Sequence, residues 1–377
     1  MKNTRLKELD ILRAFAFIFV VEQHTMGGYF NIKGISYFYY EIFKFMYTLA
    51  KPAVAAFICI SGIVISYSSL KKFVVKKYYI KKAVYIFIPY VLWSIVYMHY
   101  FKKNINIPDL CMQVLSGDAG YHLWYMGMIV RLFIYLPIIL WILKKIHVQS
   151  FILRISVFIT IALSYYEVSK YQNVISDKVI HFIFNNPTAV QMKIINISPF
   201  FWFLYFIMGI YIALNYEIFK RTVLKFKGLI IVTYIGLFTY AYLNEMNMVP
   251  FVRAIYLLYF VFSILAWYII SVILSNRAVT YSIFNFFGKY SFGSYLSHVL
   301  LIQSILKIIM FKYRIRDWLA VGTVLWISSC IVNTILIKAI SHIPYGYLIT
   351  GSKQKSYIEM IKSINIKRVV QTVKSSF

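Results

Sequence analysis

Acidic residues are scarce: 12 Asp and Glu stand against 40 Lys and Arg in 377 residues, and charged residues together make up only 14% of the chain. At 61% hydrophobic residues and a mean hydropathy of +0.71, so little charge excludes an ordinary soluble domain. Cysteine is nearly missing. Cys59, Cys111 and Cys330 lie far apart, with no CxxC and no Cys/His ligand spacing, which speaks against a disulfide framework and a zinc site. Proline and glycine are few and scattered, and there is no internal repeat, so nothing marks a domain boundary. No polar stretch is long enough for a separate soluble domain. The formal net charge of +28 would suggest nucleic acid if it sat on one polar surface. Here it falls in short clusters between apolar runs, which reads as membrane topology and leaves nucleic acid out as a partner.

What the chain does have is a series of apolar runs, each close to the length that crosses a hydrocarbon core. Window hydropathy places about ten, near 7–25, 47–68, 80–100, 121–142, 149–166, 196–215, 228–243, 252–274, 289–311 and 318–340. The expected fold is all-α, a polytopic membrane bundle of about ten transmembrane helices. Basic links at Lys2, Arg5 and Lys7, at Lys71 to Lys82, at Lys144, Lys145 and Arg154, and at Lys220 to Lys227 all fall on one side. The positive-inside rule makes that side cytoplasmic and puts both termini there. The alternate links are more mixed: Lys102 and Lys103 stand with Asp109 and Asp118, Glu245 has no base near it, and Lys312, Arg314 and Arg316 are the exception. The first run has a basic leader but no small-residue cleavage signal, so it is expected to be a retained helix. One transmembrane domain over 1–345 and a basic cytoplasmic tail over 346–377, resting on anionic lipid, complete the plan. The long outer link near 167–195 either lies on the bilayer as an amphipathic segment, or covers a site or contacts a glycan.

The chain is organised around Leu6 to His24, a membrane-grade segment that carries Arg13 and His24. Eleven residues at about 100° each close about three turns, so on a helix these two side chains share a face, about 16 Å apart along the axis. Ionisable groups at membrane depth are costly enough to suggest function, although pairing can make them structural. Arg13, with Asp10 one turn earlier, is either half of an inner-end ion pair or the holder of an anionic group entering from the cytoplasm. His24 is either an interfacial ring satisfied by a carbonyl or a neutral base able to take a proton from a hydroxyl. Glu22 falls on another face. Phe57 to Gly62 suits close helix packing. Lys81 and Lys82 precede Ile88-Pro89-Tyr90, placing cations at the inner surface ahead of a kink; they serve topology or phosphate contact. His122-Leu-Trp124-Tyr125 opens the fourth run. An aromatic belt accounts for Trp124 and Tyr125 but not for Arg131, which has to face the interior and find a partner or an anionic ligand. His298, in the ninth run, serves helix-to-helix hydrogen bonding or a site.

These segments resemble the acyltransferase-3 family of integral membrane acyltransferases, which modify surface polysaccharides and other exported carbohydrates. The likeness rests on Leu9-Asp10-Ile-Leu-Arg13-Ala14 with ten residues between Arg13 and His24, then Phe57 to Gly62, Lys81-Lys82 with Pro89-Tyr90, His122 to Tyr125, Phe203 to Gly209 and Ser291 to His298. It is closest to the subgroup tied to intercellular-adhesion polysaccharides, which resembles succinyl or acetyl transferases. The resemblance implies acetyl-CoA or succinyl-CoA as cytoplasmic donor with no permanent cofactor, and a hydroxyl of a cell-surface polysaccharide as acceptor. It further implies a bacterial cytoplasmic membrane, with lipid and a polysaccharide synthase complex as neighbours. On that reading His24 and Arg13 are catalytic, with His24 a general base or a transient acyl carrier. Arg13, Lys81, Lys82 and Arg131 hold the donor, and His122, Trp124, Tyr125 and His298 meet substrate. The chain departs from the family in carrying Lys81 and Lys82 where arginines are usual, and no hydrolase-like domain is expected after the tenth span. The competing readings are an exporter or flippase whose intramembrane charges line a path, and a silent scaffold of a synthase.

Overall fold

The computed structural model describes residues 6–69, 73–313 and 317–355. Lys2, Arg5, Lys71, Lys72, Arg314 and Arg316, the side chain of Lys312 and the tail beyond Lys355 lie outside the described residues. The elements in order are α1 (Lys7–Thr25), α2 (Tyr37–Ala50), α3 (Ala53–Ser69), α4 (Val75–Lys82), α5 (Ile88–Tyr100), α6 (Ile107–Ser116), α7 (Trp124–His147), α8 (Phe151–Lys170) and α9 (Gln172–Ile183). They continue as α10 (Ala189–Asn196), α11 (Phe203–Leu214), α12 (Tyr216–Lys225), α13 (Lys227–Glu245), α14 (Arg253–Ser275), α15 (Ala278–Lys307), α16 (Trp318–Ser341) and α17 (Tyr347–Thr350). Among the described residues there is no strand, as the hydropathy pattern implied.

Among the described residues seven stretches are long and apolar enough to cross a membrane: Tyr37–Ser69, Val75–Tyr100, α7, α8, α14, Ala278–Phe311 and α16. The pair α11 and α12, bent by 101°, makes an eighth if it counts as one span. Two of the ten expected spans, α1 and α13, fall short on composition: α1 carries Glu8, Asp10, Arg13 and Glu22, and α13 ends in Asn244 and Glu245.

α1 can carry those charges because it packs against α3, α14, α15 and α16 and so meets protein on most sides. Its inner-end carboxylates are also compensated. Glu8 accepts hydrogen bonds from Lys220 Nζ at 2.7 Å and from the Tyr216 hydroxyl at 2.9 Å. Asp10 lies 3.9 Å from Arg13 Nη1 and accepts from the Tyr281 hydroxyl at 3.3 Å. By contrast α8 is an outer helix, with Ile152, Ile159 and Leu163 exposed where lipid would meet them.

Ahead of Pro89, where a kink is expected, the helix widens into a π turn, Ala83–Phe87, and α4 and α5 continue as one span over Val75–Tyr100. Proline has no N–H and its ring presses on the carbonyl four residues back, and a widened turn relieves both problems. The Tyr78 and Tyr79 hydroxyls then tie α4 to α7 by donating to the carbonyls of Phe133 (2.9 Å) and Ile134 (2.8 Å). α15 is pinned to α16 by Asn333, which accepts from the Ser297 hydroxyl and donates to the Ser294 carbonyl, both at 2.7 Å.

Gly62 and Gly209 bring α3 and α11 into backbone contact. A Cβ at Gly62 would stand 2.6 Å from the Phe206 carbonyl oxygen, and one at Gly209 would overlap the carbonyl oxygen of Cys59. Gly209→Val is therefore expected to lower the thermal unfolding midpoint in detergent, at an overpacking cost of about 1–3 kcal/mol or more. An unchanged midpoint would mean that the two helices have room to part.

Candidate active site

The site is built along the contact between α1 and α15. Gly288 has no side chain to keep the Asp10 carbonyl away; a Cβ there would overlap it. From that close approach the two helices run on together to His24 and His298, whose ring centroids are 5.0 Å apart. The turn that leads into α7 adds His122, 4.9 Å from His298 and 6.3 Å from His24, and Tyr121, 5.3 Å from His24. Three imidazoles distant in sequence thus form one cluster at the C-terminal end of α1.

The hydrogen bonds assign the tautomers of two rings. A carbonyl only accepts, so His298 Nδ1, 2.6 Å from the Tyr295 oxygen, carries a proton and donates it. Likewise His122 Nε2 donates to the Leu296 oxygen at 3.4 Å. His298 Nε2 and His122 Nδ1 are left buried and unpartnered among the described residues. Both residues are fully buried, whereas His24 is partly exposed and, of the three, open to a substrate. Tyr295 ties the turn down by donating from its hydroxyl to the His122 carbonyl.

Toward the N-terminal end of α1 lies a cavity of about 270 Å³ between α1, α3, α7, α15 and the turn after α17. Arg13, Lys82 and Lys289 supply its cations; Ser61, Tyr125, Ser291 and Tyr295 supply hydroxyls; Phe57, Ile129 and Phe133 are among its apolar walls. A neighbouring recess shares Lys82 and adds Lys81 and Lys353, so positive charge continues outward from the cavity. Tyr295 joins the two halves of the site. It lines the cavity, and its ring lies 5.5 Å from His298 and 5.8 Å from His122. Such a site presents cations to an anionic group at one end and a base to a hydroxyl at the other.

The family model for the acyltransferase domain Acyl_transf_3 matches residues 6–342, from the start of α1 to the end of α16. The chain belongs to the acyltransferase-3 family. No curated protein and no solved structure matches it. It is a polytopic membrane acyltransferase, as the motifs along the sequence implied.

In this acyltransferase the fold brings together most of the expected residues. Arg13, Lys82 and Tyr125 meet in the cavity, Lys81 stands at its outer recess, and His24, His122 and His298 meet in the cluster. Trp124 is turned elsewhere, its ring 5.5 Å from that of Trp202. Glu22 does not support His24: it is fully buried and neither carboxylate oxygen has a partner among the described residues.

Arg131 is not at the cavity. Its guanidinium donates to the Ile194 carbonyl at 2.6 Å and to the Leu115 carbonyl, tying the C-terminal turns of α10 and α6 to α7. Arg131→Met is therefore expected to reduce folded protein in the membrane while leaving the donor KM unchanged. A raised KM at matched protein level would return Arg131 to donor binding.

Sequence reasoning passed over Lys289, Tyr295 and Tyr121 as site residues. Lys289 reads as an ordinary inner-end cation, and nothing local to Tyr121 or Tyr295 reports the histidine rings beside them. Cys59 and Cys330 are buried free thiols and Cys111 an exposed one. Among the described residues no group of three or more His, Cys, Asp or Glu is placed to hold a metal ion.

Proposed function

We propose that this acyltransferase moves an acetyl or succinyl group from cytoplasmic acyl-CoA to a hydroxyl of an exported cell-surface polysaccharide, in a bacterial cytoplasmic membrane. The observation that carries the reading is the arrangement along α1: a cationic cavity around Arg13 and Lys82, and a partly exposed His24 farther along the same helix. On a straight helix the two residues stand about 16 Å apart, a gap that an extended pantetheine arm bridges. The phosphates of CoA would rest on Arg13, Lys82, Lys81 and Lys289, with the thioester carried toward His24. The acceptor oxygen attacks the thioester carbon as His24 takes its proton; the C–S bond breaks and the proton passes to the leaving thiolate. Hydroxyl or backbone donors would stabilise the oxyanion.

This reading includes a topology of ten crossings with both termini cytoplasmic. α1 and α13 join the eight apolar stretches, because α1 is enclosed by protein and Glu245 at the end of α13 is paired with Lys51 and Lys44. Alternate crossings then put Lys76, Lys77, Lys144, Lys145, Lys220 and Arg221 on one side, as the positive-inside rule requires. The amphipathic α12 lies along that inner surface, with Lys220 reaching Glu8.

The test is the O-acyl content of surface polysaccharide from cells with and without the gene. Loss of ester groups from a polymer still present at the surface supports the proposal. Esters that persist while the polymer stays inside would replace it with an exporter.

A further inference from the structure

Resting on the reading of His24 as general base, we propose that His298 is its positioning residue: as His24 takes up a proton during transfer, Nε2 of His298, free among the described residues in the resting structure, accepts a hydrogen bond from its ring and stabilises the imidazolium. Nδ1 of His298 is committed to the Tyr295 carbonyl, which leaves Nε2 of the neutral ring as a lone-pair acceptor. That nitrogen is buried, has no partner among the described residues, and belongs to the histidine ring nearest to His24.

The backbone that carries it is held on two sides. Asn333 bonds to Ser294 and Ser297, and the Tyr97 hydroxyl donates to the Leu296 carbonyl at 3.0 Å. A neutral imidazole in this position does what a carboxylate does beside many catalytic histidines, without keeping a permanent charge at membrane depth. The proton balance is unaffected. The hydroxyl proton resides on His24 and then on sulfur, and His298 takes none. His122 is the less suitable acceptor because its ring is farther from His24 and lies against His298.

Asparagine and glutamine separate this role from a structural one. In His298→Asn the amide occupies the place of Nδ1 and can still bond the Tyr295 carbonyl, but nothing stands where Nε2 was. In His298→Gln an oxygen reaches that place. Both variants and His24→Ala would be assayed as the full chain in membrane vesicles at matched protein level. Radiolabelled acetyl-CoA and succinyl-CoA serve as probes, and label is counted in surface polysaccharide.

His298→Asn is expected to lose roughly 10²-fold in kcat at unchanged donor KM, near the lower end of what general base catalysis contributes, while His298→Gln keeps most of the rate. An Asn variant as active as the wild type, or Asn and Gln variants impaired alike, would overturn the positioning role. His24→Ala keeps the two ideas apart: if it still transfers label, the base assignment itself fails, and if it alone is inactive, only the role of His298 does.

Discussion

Replacing His24 with alanine is expected to lower acyl transfer by about 10³-fold, the middle of the range attributed to a positioned general base. Donor binding should survive, because Arg13 and Lys82 stand in the cavity and His24 does not. The measurement is kcat and donor KM in membrane vesicles, with immunodetection to match protein level. Two further histidines lie close by, yet they should not substitute for His24: both are fully buried, and each has one ring nitrogen committed to a backbone carbonyl. A His24→Ala protein with more than about a tenth of the wild-type kcat would fall far outside that range and would move the base elsewhere in the cluster.

The second large effect is expected at Arg13. Arg13→Met should raise the donor KM by about 10- to 10²-fold, since a hydrogen bond between charged groups contributes about 1.5–3 kcal/mol and each 1.36 kcal/mol is a decade. Arg13→Lys should recover part of that loss, because lysine restores the charge but not the planar fork that meets an anion with two donors. Removing Arg13 also deprives Asp10 of its ion pair, so membrane abundance has to be followed alongside KM. If KM stays constant while abundance falls, Arg13 is the structural half of the Asp10 pair and the donor's phosphates rest on the lysines.

The two arginines of the apolar segments show what local sequence can and cannot report. Arg13 and Arg131 look alike on a hydropathy plot: each is a guanidinium where lipid would be expected, and each has to face protein. One lines the cavity; the other caps the last turns of two outer helices through their carbonyls. The difference lies in α6 and α10, and no pattern around Arg131 encodes that these helices arrive beside it. Pro89 is the opposite case. Its missing N–H and its clash with the preceding turn are local facts, so a disturbance of the helix just ahead of Pro89 was legible in advance, although its π form was not.

The sequence by itself determined the membrane class, the all-helical fold, the shared face of Arg13 and His24, and the acyltransferase-3 family. Each of these depends on run length, on the 3.6-residue period or on motifs of fixed spacing, which are properties of short segments. Only the tertiary structure decided that His24, His122 and His298 form one cluster, that Lys289 joins Arg13 and Lys82, and that Arg131 does not. Those outcomes depend on which helices touch and at what height. A glycine such as Gly288 sets that height by letting the Asp10 carbonyl approach, and its effect is felt about three to four helical turns along, where the histidines meet.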